Sequence, residues 1–88
     1  MVRIELGKNL YVVIGNSYKI RTSFESAFGP TTENYVGTIS GIIDQHLILS
    51  RGIVACSYPT WGGLYTAISM VSDRKIHLGT IESILKAK

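Results

Sequence analysis

Nine glycines divide this 88-residue chain into short runs rich in valine, isoleucine, tyrosine and threonine. Such punctuation describes short strands joined by turns. Leu10–Ile14 is an apolar run closed by Gly15, Asn16 and Ser17. Ser17–Phe24 alternates: Tyr18, Ile20, Thr22 and Phe24 point one way, Lys19, Arg21 and Ser23 the other. A period of two predicts a strand with one buried face and one wet, basic face. Glu25–Asn34, with Gly29-Pro30 and two threonines, reads as a loop. Tyr35–Ile43 and His46–Ser50 read as strands about Asp44-Gln45, and Arg51-Gly52 as an interruption before Ile53–Tyr58. Pro59–Gly63 is a turn, Leu64–Val71 alternates, Ser72-Asp73-Arg74 turns again, and Lys75–Leu78 leads through Gly79 into Thr80–Leu85. Helical periodicity is confined to a short stretch at Ser23–Phe28 or to the extreme C-terminus.

A chain of this length holds one core, so residues 1–88 are expected to form a single domain. Several short strands in a chain too small for a sandwich predict an all-β fold, a small, strongly bent barrel of five or six strands. Cys56 is the only cysteine, which excludes an internal disulfide and a thiolate zinc cluster. That fits a reducing compartment and leaves self-association as the expected support for a small core. Only 17% of the residues are charged against 45% hydrophobic, so part of the apolar surface is expected to be covered by a partner or a sister subunit. The net charge of +3 permits contact with a polyanion. No segment is apolar enough to span a bilayer as a helix, and the N-terminus lacks the order of a secretion signal. The expectation is a cytoplasmic protein without membrane contact.

No catalytic set is legible, and the chain is read as a non-enzyme without a cofactor. Tyr11–Gly15 resembles the first strand of a dinucleotide-binding unit, but the further glycines and following helix are missing. His46 and His77 have no cysteine or carboxylate at ligand spacing. Cys56 lies in the apolar run Val54–Ser57, where an inert thiol is expected. Glu25, Glu33, Asp44, Asp73 and Glu82 are scattered among loops and strand ends. Asp44, between two apolar strands, is expected to bond nearby backbone amides. Trp61 stands at a hairpin tip, where an exposed aromatic stacks on a base or anchors a protein contact. Lys19, Arg21, Arg51, Arg74 and Lys75 are the cations near strands, set close to Tyr35 and Trp61.

Tyr35-Val-Gly-Thr-Ile-Ser-Gly-Ile-Ile-Asp-Gln-His-Leu-Ile-Leu49 resembles the first motif of the Sm/LSm family, with Gly37, Ile39, Asp44, His46 and Leu49 on its pattern. Ile76–Gly79 followed by Thr80–Ile84 resembles the second. The resemblance implies a five-stranded SH3-like or Sm-like barrel whose outer strands pair between subunits in rings of six or seven, a hexamer or heptamer, binding single-stranded RNA. It places RNA contacts at the turn holding Asp44 and His46 and at the turn before Gly79. With the cations and aromatics, the expected nucleic-acid-binding residues are His46, Asp44, Lys19, Arg21, Tyr35, Trp61, Arg74, Lys75 and Gly79. Two residues depart from the family pattern: Ile48 stands for its Asn and Leu78 for its Arg. Both favour the alternative, a structural or adaptor barrel with a protein partner. Met1–Lys8 does not read as the family's N-terminal helix. The subunit-pairing edges are expected at Ile53–Tyr58 and Thr80–Leu85.

Overall fold

The computed structural model describes residues 3–7 and 10–87 and is all-β apart from one short 3-10 turn. Strands β1 (Arg3–Gly7) and β2 (Leu10–Val13) form an antiparallel pair. Then come β3 (Ser17–Ser26), β4 (Gly29–Ile43), β5 (His46–Thr60), β6 (Gly63–His77) and, after the turn Leu78–Thr80, β7 (Ile81–Lys86). These five make one antiparallel sheet in the order β6-β5-β4-β3-β7. Arg3–Gly7 is thus a strand; Met1, Val2 and Lys8 lie outside the described residues. Among the described residues no helix is long and apolar enough to cross a membrane.

The alternation in Ser17–Phe24 sets the inner face. Tyr18, Ile20 and Thr22 are buried while Lys19, Arg21 and Ser23 are exposed. Register carries that face across the sheet: Ile20 is opposite Ile84 on one side and Tyr35 on the other, and Tyr35 is opposite Val54. Leu47, Leu49, Ile39 and Ile76 complete the cluster. Val12 is wholly buried in it, with Ile4 and Leu6 packed alongside, so the β1–β2 pair covers part of the core. Gly15, in the left-handed region at φ +94°, turns the chain from β2 into β3. Its N–H donates to the Ile39 carbonyl at 2.8 Å, and the Val13 N–H donates to Tyr18 Oη at 2.8 Å.

Five segments differ from expectation. Glu25–Asn34 is not a loop, and Ser23–Phe28 holds no helix. β3 runs on to Ser26, Ala27-Phe28 turn, and β4 begins at Gly29 with φ +103°. Thr31, Thr32 and Glu33 look loop-like by composition, yet each has a partner on β3. Arg51-Gly52 and Ser72–Arg74 do not break their strands either; the β5–β6 ladder keeps one register from His46↔His77 to Thr60↔Gly63. The chain bends there instead. Asp73 has φ +51°, and the β4–β5 ladder is irregular between Thr38 and Gly41. The buried positions of β5 switch from Leu47 and Leu49 to Val54, from odd to even, as an extra residue in a strand requires. Finally, Ile53–Tyr58 is not an edge. It lies in β5, between β4 and β6, and the outer strands are β6 and β7.

The bend can be gauged by one ion pair. Arg74 is opposite Leu49 and Glu33 opposite Cys56, seven positions apart along β5. On a flat sheet that is roughly 23 Å at about 3.3 Å per residue. Arg74 Nη2 nevertheless lies 3.3 Å from Glu33 Oε2, so the sheet folds over on its inner face. Cross-strand partners Gly37 and Gly52 mark the fold line. A Cβ on Gly37 would stand 2.2 Å from the Arg51 carbonyl oxygen and 2.8 Å from Gly52 Cα; one on Gly52 would stand 2.4 Å from the Val36 carbonyl oxygen. These are backbone atoms and cannot rotate aside.

Gly37→Ala is therefore expected to cost about 1–3 kcal/mol or more in urea unfolding, the usual range for overpacking. Gly41→Ala, where a Cβ meets nothing within 4 Å, is expected to be neutral or slightly stabilising. Equal losses at the two positions would show that the crossing is not sterically limited.

Candidate nucleic-acid interface

The hairpin turn between β4 and β5 consists of Asp44 and Gln45, both left-handed at φ +46° and +63°. Positive φ at both central residues matches the twist of a two-residue hairpin. Asp tolerates this conformation; for Gln it costs on the order of 1 kcal/mol. Asp44 does not act in the turn as expected. Its side chain is exposed, and it is its carbonyl oxygen that is engaged, by His46 Nδ1 at 2.7 Å. At the other end of the β5–β6 ladder's first rung, His77 closes β6 and caps the turn Leu78–Thr80. Its Nδ1 accepts the Gly79 N–H at 2.9 Å, and its carbonyl oxygen accepts the Thr80 hydroxyl at 2.7 Å. The Leu78 N–H donates to the Gln45 carbonyl at 2.9 Å and ties the two turns together.

His46 and His77 are cross-strand partners, with ring centroids 4.9 Å apart and planes at 86°. Their hydrogen bonds assign opposite tautomers. A carbonyl can only accept, so neutral His46 carries its proton on Nδ1 and keeps a lone pair on Nε2. A backbone N–H can only donate, so neutral His77 has its lone pair on Nδ1 and its proton on Nε2. One edge of the molecule thus presents a ring acceptor beside a ring donor, together with two flat faces. Such a pair is suited to the polar edges and π-faces of nucleobases. Among the described residues no group of three or more His, Cys, Asp or Glu could hold a metal ion.

Of the residues expected from sequence, Asp44, His46 and Gly79 meet here, and exposed Lys75 lies two positions before His77 on β6. The others do not. Lys19 and Arg21 occupy the outer face of β3, and Arg21 pairs with Glu82 at 3.3 Å. Trp61, fully exposed, sits at the far end of the fifteen-residue β5, in the turn to β6. Tyr35 is not an exposed stacking surface: it is 2% exposed and lies in the core. Its hydroxyl donates to Glu33 Oε1 at 2.6 Å, and Arg74, held by Glu33, lies over its ring at 5.9 Å. Tyr35 and Arg74 therefore belong to an internal cluster with Glu33. The residue that sequence reasoning missed is His77. The signal for it was its place directly before Leu78-Gly79, which only the register turns into a neighbour of His46.

Cys56 faces Glu33 across the β4–β5 ladder, ten residues along β5 from His46. Burial first, and then the charge of Glu33, push its thiol pKa up, which disfavours the reactive thiolate. Comparison of the chain with known families, curated proteins and solved structures finds no family model, no curated protein and no solved structure that matches it.

Burial, and next the hydrogen bond to Glu33, push the Tyr35 hydroxyl from 10.0 up to about 12. With the folded value above the unfolded one, this contribution is complete below pH 10 and lost as pH rises towards 12. Two units correspond to at most about 2–3 kcal/mol. Tyr35→Phe is expected to flatten the decline of stability across that window, followed by urea unfolding at alkaline pH. Parallel declines for the two proteins would remove Tyr35 as the group responsible.

Proposed function

We propose that this chain is a strongly bent, SH3-like or Sm-like barrel subunit that assembles with itself into a ring of six or seven and holds single-stranded RNA. The reading is carried by one observation: the Asp44–His46 turn and the His77–Thr80 connection meet at one edge, with two imidazoles of opposite hydrogen-bonding character. In the five-stranded sheet, the Asp44 turn joins the second and third strands and Gly79 lies between the last two, as in the motifs they resemble. β6 and β7 are the outer strands, available to pair between subunits. The protein acts by binding, with no chemistry of its own.

The test is anisotropy of a labelled single-stranded oligouridylate together with light scattering. Binding is expected to weaken with salt. His46→Ala and His77→Ala are each expected to lower affinity about tenfold, within the range of roughly 1–3 kcal/mol for base stacking on a side chain. A monomer indifferent to RNA at low salt would overturn the reading.

The second reading, an adaptor barrel with a protein partner, is favoured by Leu78. It packs against the core rather than presenting a polar group to the turn. An oligonucleotide-indifferent ring that retains a protein partner after nuclease treatment would select it.

A further inference from the structure

β6 is fifteen residues long and, among the described residues, is paired only on its β5 side. Exposed strand edges are normally blunted by charge, proline or a covering element. The half of β6 nearest the hairpin tip has none of these. Between Arg51 and Asp73 the sequence contains no charged residue, and Gly63–Val71 contains no proline. On the outer face of this half Leu64, Ile68 and Met70 are 72%, 73% and 83% exposed. Ring pairing of the kind proposed above leaves most of this edge over, because β7 has six residues and can match at most six of the fifteen.

We propose that Gly63–Val71 pairs antiparallel with the same segment of a second copy, about a two-fold axis near Ala67. Charge selects this occupant. The chain carries +3 overall, yet two copies meeting along this edge bring together only uncharged residues. Leu64 and Met70, both large and exposed, lie three residues either side of Ala67. A two-fold near Ala67 sets Leu64 opposite Met70 of the second copy and Thr66 opposite its Ile68, all on one face. The contact is isologous and closes on itself, joining two five-stranded sheets into ten strands. It extends the outer-face row Leu85, Lys19, Val36, Ile53 and Met70, whose members are successive cross-strand partners. It does not depend on the ring: if rings form, it joins them in pairs, and if they do not, it makes a dimer.

Light scattering of Ile68→Lys tests it, since Ile68 is exposed within one copy and its replacement should leave each copy folded, as circular dichroism checks. The expected result is a twofold fall in mass. Leu85→Lys, on β7, reports separately on ring pairing and should leave two-fold dimers. In a Cys56→Ser background, single cysteines placed at Thr66, Ala67 and Ile68 should cross-link under oxidation, most strongly nearest the axis. Cross-linking with a halved mass for Ile68→Lys, and no effect of Leu85→Lys, would sustain the two-fold contact and reject the ring. An unchanged mass for folded Ile68→Lys, or no cross-link at any of the three positions, would overturn the proposal.

Discussion

Gly37 and Gly52 are cross-strand partners with no room for a side chain at either, and the rest of the molecule follows from the bend at that crossing. Five strands of this length, laid flat, would expose both faces and have nothing to bury. At the crossing the two backbones approach more closely than any side chain permits. The sheet can therefore turn its inner face onto itself, bringing Leu49 and Ile76 from one limb together with Ile20, Tyr35 and Val54 from the other. The β1–β2 pair then needs to supply only Val12, Ile4 and Leu6 to extend the cover. Close packing makes that bend a sharply defined feature rather than a gradual one.

The same fold puts polar groups inside. Glu33 is largely buried and is satisfied from two sides, by the Tyr35 hydroxyl and by the half-exposed Arg74. An ion pair with one partner in water contributes little net stability. Its consequence is mainly one of specificity, since the carboxylate is satisfied only when both limbs of the bent sheet are in place. Cys56 lies beside this cluster, and its thiol pKa is pushed up by burial first and then by the charge of Glu33. The two imidazoles are at another edge of the molecule, where the turns of the ladder end. The inner cluster is thus set apart from the edge carrying His46 and His77, where His77 is exposed.

The outer face is the counterpart of the folded inner one. With the sheet bent inward, Val36, Ile53, Met70 and Leu85 point away from the core, and no element of the described chain covers them. This is where the low charge fraction finds its structural place. A chain whose five-stranded sheet bends onto itself keeps an apolar outer face and, among the described residues, two unpaired edges.

The alternation of Ser17–Phe24, the glycine punctuation and the Asp44-Gln45 turn were legible from local chemistry alone. Strand period and turn preference depend only on neighbouring residues, so the all-β class and the inner face of β3 could be read directly. Thr31–Glu33 and Arg51-Gly52 could not. Polar residues and glycines resemble breaks until a partner strand satisfies their backbone, and pairing is a long-range event. The same limit separates the site residues. Whether Tyr35 is outside or in the core depends on which face closes. Whether His77 meets His46 depends on the register of a ladder whose hairpin tip lies at Trp61, far along both strands. The sequence by itself determined the strands and their turns, through local conformational preference. Only the tertiary structure decided what those strands bury and which side chains meet, because bend and register are set by contacts between residues distant in the chain.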